Sequence, residues 1–72
     1  MNINKLAPEL WRIQVGAAVR IIRFRPAEGT FTPWEVLTTD GRAVWAAPSF
    51  ESAARWVIRT IAGSAANQVI EL

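Results

Sequence analysis

The side chains with most to offer a binding partner are arginines. Seven of the eight basic residues are Arg, against six acids, for a net charge of +2. A guanidinium is a permanently charged planar fork that matches carboxylate and phosphate geometry, so the position of each Arg matters more than the total. Arg23 and Arg25 flank Phe24, Arg42 follows an Asp-Gly pair, and Arg12 lies between Trp11 and Ile13. On extended chain, alternation puts Arg23 and Arg25 on one face, which Arg42 and Arg12 are expected to share. Glu35 falls among them, and a cross-strand pair with Arg23 or Arg25 is worth about 0.2–1 kcal/mol. Such an Arg-bearing sheet face suits DNA: guanidiniums neutralise phosphates, and a two-stranded ribbon is about as wide as a major groove.

Catalysis has little to draw on. The chain has neither cysteine nor histidine, which removes the commonest nucleophile, the commonest general base and the usual zinc ligands together. A catalytic carboxylate pair needs two acids converging in a cleft, and Glu28 and Glu35 read as solvated surface. The glycines, at 16, 29, 41 and 63, each fit a turn or a helix cap, which leaves no phosphate-binding loop. The expectation is a non-enzymatic binding module with no catalytic residue, no cofactor and no metal.

The elements that must position these residues centre on Trp34 to Gly63. Two runs rich in β-formers, Trp34 to Thr39 and Arg42 to Trp45, are separated by Asp40-Gly41, which suits a two-residue type I′ turn. That loop sets Leu37 opposite Val44 and Val36 opposite Trp45. It also puts Trp34, Val36, Thr38, Ala43, Trp45 and Ala47 on one face, with Arg42 and Val44 on the other. Pro48 stops the second strand, Ser49 caps a helix, and Phe50, Ala53, Ala54, Val57, Ile58 and Ile61 form its apolar stripe. Glu51 and Arg55 stand at i,i+4, and Gly63 is the expected C-terminal cap. Trp56 lies off the stripe, either covered by the N-terminal or C-terminal segment or exposed as an anchor.

Upstream, Leu10 to Val15 alternates cleanly and Ala18 to Arg25 forms a second strand. Arg20 breaks its phasing, and a bulge near Arg20 to Ile22 would restore it. Residues 1–9 read as a flexible arm, and Gln68 to Leu72 as an optional last strand or cover. The predicted fold is a single α+β domain over residues 1–72: an antiparallel β-meander of three to four strands packed on one C-terminal α-helix. No run of about 18 apolar residues and no leader-like N-terminus is present, so a cytoplasmic protein with no membrane partner is expected.

The W-E-V, D-G-R and S-F-E-S-A-A-R-W segments, from Trp34 through Trp56, resemble the small N-terminal arm-type DNA-binding domains of phage integrases. The resemblance covers about thirty residues and implies a sheet on one helix, with the sheet inserting into DNA. It supports the nucleic-acid reading, carried by Arg12, Arg23, Arg25 and Arg42. The alternative is a protein-protein interaction module or phage-type accessory or inhibitor protein, homodimeric or with another partner, using Leu37, Val44 and Trp56. An apolar fraction of 51% favours it, because a chain this short buries only about 60% of its unfolded surface.

Overall fold

The computed structural model describes the backbone of residues 1–71 and the side chains of residues 1–61. Five strands follow one another in space as in sequence: β1 (Asn2–Ala7), β2 (Leu10–Val15), β3 (Ala18–Phe24), β4 (Trp34–Leu37) and β5 (Ala43–Ala47), every neighbour antiparallel. One helix, α1 (Phe50–Glu71), completes the chain. The α+β meander on a single C-terminal helix is therefore as expected, with one strand more. No helix among the described residues is long and apolar enough to cross a membrane.

The core takes one fully buried residue from each of four strands, Ile13, Ile22, Val36 and Ala47, and sets them against Ala53, Ala54 and Val57 of the helix. Two alanines in the contact stripe let the helix axis come close to the sheet. Around one end of the helix, Trp11, Phe24, Trp34 and Phe50 form a ring cluster with centroids 4.6–5.6 Å apart. Such tilted pairs add about 0.5–1.5 kcal/mol each beyond the area they bury. The start of α1 is set by Ser49, whose hydroxyl accepts from the Ser52 N–H at 3.1 Å, satisfying a first-turn amide as the sequence predicts. The Glu51–Arg55 pair also forms, at 2.6 Å.

Several expectations are corrected. Residues 2–7 are not a loose arm but strand β1, registered on β2 from Asn2–Gln14 to Ala7–Leu10 with an irregularity between Lys5 and Ala7. The alternation of β3 runs through Arg20 with no bulge, because Ile13–Arg20 and Trp11–Ile22 stay in continuous register. Arg20 therefore lies on the helix side, while Val19 and Ile21 lie on the open side with Arg23. Gly63 does not end the helix, which continues to Glu71. Of the expected tail strand, residues 68–71 belong to α1 and Leu72 lies outside the described residues.

The β4–β5 turn is one residue longer than a type I′ loop. Within this turn Gly41 alone has positive φ, at 92°, and among the described residues no non-glycine does. The Gly41 N–H donates to the Thr38 carbonyl, and the Thr38 N–H to the Arg42 carbonyl, both at 2.9 Å. Leu37 consequently faces Ala43, and Val44 is the extra residue of a bulge before the Val36–Trp45 pair. Because strand side chains alternate with period two, an odd shift moves residues to the opposite face. Arg42 and Val44 therefore join the helix side, and Ala43 leaves it.

The diagonal of small and branched residues leaves little room for collapse around a deletion. Ile22→Ala should lower unfolding free energy by about 2–5 kcal/mol, a range typical of buried Ile→Ala changes, read from the midpoint and slope of urea denaturation.

Candidate functional site

The helix packs on β2, β3, β4 and β5, while among the described residues β1 is in contact with β2 alone. The sheet thus offers a whole open face and, at β1, a ribbon that overhangs the helix. On the open face, register places Asn2 opposite Gln14 and Asn4 opposite Arg12. Arg12 Nη2 donates to Gln14 Oε1 at 3.1 Å, and Gln14 Nε2 donates to the Gly16 carbonyl at the same distance. These four side chains form an amide and guanidinium patch that contains no acid. Asn2 and Asn4 were hidden to sequence reasoning because residues 1–9 read as an arm. The signal was there in the alternation of Asn2 and Asn4 with Ile3 and Lys5.

The arginines predicted to act together divide. Arg23 stands on the open face with Arg12, but both its Nη2 and its Nε donate to Glu35 Oε1, at 2.7 and 3.1 Å. The pair is partly exposed, 40% at Arg23 and 21% at Glu35, and its charge is largely cancelled locally. Arg25 is exposed one residue beyond β3, where its N–H donates to the Pro33 carbonyl at 2.7 Å. Continued alternation puts it on Arg23's face. Arg42 is on the other side of the sheet, separated from them by the odd loop. Lys5 also lies on the helix side, its ammonium 5.7 Å from the Trp11 ring centroid, a favourable cation–π position.

The three apolar residues expected at a protein interface are placed differently again. Leu37 points to the open face yet is only 5% exposed. Val44 and Trp56 are half-buried and pack against the core. Trp56 is covered by Trp45 of β5, the two rings parallel with centroids 5.1 Å apart. It is Trp45, 47% exposed, that carries this aromatic pair to the surface. Met1, Ile3 and Leu6 on and beside β1, and Phe31 in the β3–β4 loop, are the other large exposed apolar groups among the described residues.

On the helix side, Arg20, Thr38 and Arg42 stand in one cross-strand row beyond the core. With Val44, and with Trp56, Val57, Thr60 and Ile61 from the helix, they surround a cavity of about 180 Å³. Arg20 Nη1 donates to the Val19 carbonyl at 2.8 Å, and no described acid pairs with it. Arg20 is thus a third residue, after Asn2 and Asn4, whose place the sequence did not reveal, because it reads there as a break in phase.

Asp40, at the tip beside this row, accepts from the Thr38 hydroxyl. That bond is the main influence holding its carboxyl below the usual range; burial opposes it slightly, and the backbone amides of Asp40 and Arg42 and the Arg42 charge assist. A depressed folded-state pKa contributes stability that is present above the unfolded value, about 3.9 for Asp, and is lost as pH falls through the folded one. Asp40→Asn should therefore lower the denaturation midpoint at neutral pH and converge with the parent in acid. Denaturant titrations across that pH range check it.

Comparison with known proteins gives no match: no family model, no curated protein and no solved structure is significantly similar to this chain.

Proposed function

We propose that the chain is a small non-enzymatic module that binds duplex DNA with its β1–β2 ribbon and the adjoining open face of β3. The observation that carries this reading is the acid-free set Asn2, Asn4, Arg12 and Gln14, two cross-strand pairs on the sheet face that the helix leaves free. Asn and Gln amides offer a donor and an acceptor at the spacing of adenine N6 and N7, and Arg matches guanine O6 and N7. A major groove about 12 Å wide admits a two-stranded ribbon, and β1, clear of the helix, lets this ribbon enter without the helix colliding with the backbone. Arg25 flanks the patch for phosphate contact, with Lys5 on the ribbon's other side. The integrase arm-type domains that Trp34 to Trp56 resembles use a sheet in the same way.

The charge available sets the character of the complex. Arg23 is occupied by Glu35 and Arg42 faces away, so two or three cations remain for phosphates. Each phosphate contact contributes about −0.9 to the slope of log affinity against log salt, so a slope of about −2 to −3 is expected. Fluorescence anisotropy of a labelled duplex over a salt series measures it. Arg25→Ala should weaken binding across sequences and make the slope shallower by about one, whereas Arg12→Ala and Asn4→Ala should mainly reduce the difference between duplexes of different sequence. A chain that binds no duplex even at low salt, or an Arg12→Ala/Asn4→Ala variant that binds like the parent, would end this proposal.

The competing reading is self-association, favoured by the exposure of Ile3 and Leu6 on the unpaired edge of β1. Antiparallel pairing of β1 with its copy would extend the sheet and keep both helices on one side. Sedimentation equilibrium separates the readings: a monomer at high concentration removes this one.

A further inference from the structure

The cavity behind the sheet is chemically two-sided. Trp56, Val57 and Ile61 present apolar surface, while Arg20 and Arg42 line the same 180 Å³ space. A cavity of about 150 Å³ is enough to admit one benzene ring, so the space suits a single ring or a short alkyl group. Arg20 is half-buried on the core face of β3, a setting in which an unpaired charge is disfavoured. Among the described residues its one hydrogen bond is to the Val19 carbonyl, which engages one of its five donors. Asp40 is the acid associated with this row, but it is fully exposed and bound to Thr38 and the loop amides. The Thr38 hydroxyl is likewise engaged, donating to Asp40 and accepting from the Arg42 N–H at 3.2 Å.

We propose that this cavity binds a carboxylate carried on a small apolar group, with Arg20 and Arg42 holding the carboxylate and the apolar group lying against Trp56 and Val57. An aryl- or alkyl-carboxylic acid and the C-terminal end of a polypeptide bearing a large apolar last residue share this chemistry. A carboxylate supplies a counter-charge that Arg20 lacks among the described residues, and a guanidinium fork meets it with two parallel hydrogen bonds. The site lies on the helix side of the sheet, opposite the amide and guanidinium patch, so it stands or falls independently of DNA binding.

The test titrates ¹⁵N-labelled full chain with 3-phenylpropionate and follows the indole N–H of Trp56 and Trp45 and the side-chain N–H of Arg20. A saturable shift of these signals is expected, with 3-phenylpropanol, equal in shape but uncharged, binding about tenfold more weakly or worse. Arg20→Gln should lose a similar factor. Arg42→Gln, on an exposed loop where folding is not at stake, should weaken binding in the same direction. A short peptide ending in Phe, as free acid and as amide, separates the sources: tighter binding of the peptide acid than of phenylpropionate assigns a polypeptide end, and equal binding assigns a free acid. Acid and alcohol binding alike, no saturable shift at millimolar acid, or parent-like affinity in Arg42→Gln would each overturn the proposal.

Discussion

Everything in this chain depends on a narrow contact between one helix and the middle of a sheet. With no cysteine and no histidine in the sequence, no disulfide or ordinary zinc site can hold the two layers together, and packing must do so alone. The contact is made by Ala53, Ala54 and Val57 on a diagonal of Ile13, Ile22, Val36 and Ala47. Small helix residues bring backbone close to sheet, and large rings then seal one end. The order of sizes along the helix, Phe50 first, two alanines next and branched residues after, determines which end of the sheet is closed by aromatics. Further along, the stacked Trp45 and Trp56 stand beside the Arg20 cavity.

The free surfaces follow from a mismatch of widths. A helix with its side chains is about 10–12 Å across, whereas five strands at a spacing of about 4.8 Å extend about 19 Å between the outer strand axes. One helix cannot cover such a sheet. Here it spans β2 to β5, and the deficit falls on β1. The overhanging ribbon is thus a geometric consequence of adding a fifth strand to a unit with a single helix. Lys5 and the irregularity after it blunt that strand as natural edges are often blunted, yet both its faces remain exposed.

Local signals in the sequence were legible where one short rule governed the outcome. The alternation of Leu10 to Val15, the Ser49 cap and the Glu51–Arg55 spacing each depend on neighbours a few residues away, and each is present in the fold. What escaped was decided by counting or by distant contact. Asp40-Gly41 suggests a two-residue loop, but the turn takes three because Asp40 keeps negative φ and ties its carboxylate to Thr38. That single residue changed the face of Arg42, and with it the composition of the candidate site. β1 escaped for another reason: its residues are exposed on both faces, so no apolar period marks it, and pairing with β2 is what makes it a strand. Arg20 looked like an error in phase because the expected pattern allowed no charge on the helix side.

Charge is distributed by these same constraints. Among the described residues, Glu35 meets Arg23, Asp40 interacts with Arg42 and Glu51 meets Arg55, which leaves Arg12 and Arg25 on the open side, Lys5 and Arg20 on the helix side, and Arg59 exposed on the helix. A partly exposed pair such as Arg23–Glu35 adds little to stability, commonly well under about 1 kcal/mol. Its larger effect is on the surface it occupies. By cancelling charge over the middle of the open face, it leaves that face with Arg12 on the β1–β2 ribbon and Arg25 past the end of β3, with Glu9 exposed in the β1–β2 turn. A ligand approaching the open face therefore meets polarity graded across the strands, densest where the helix is absent and access is greatest.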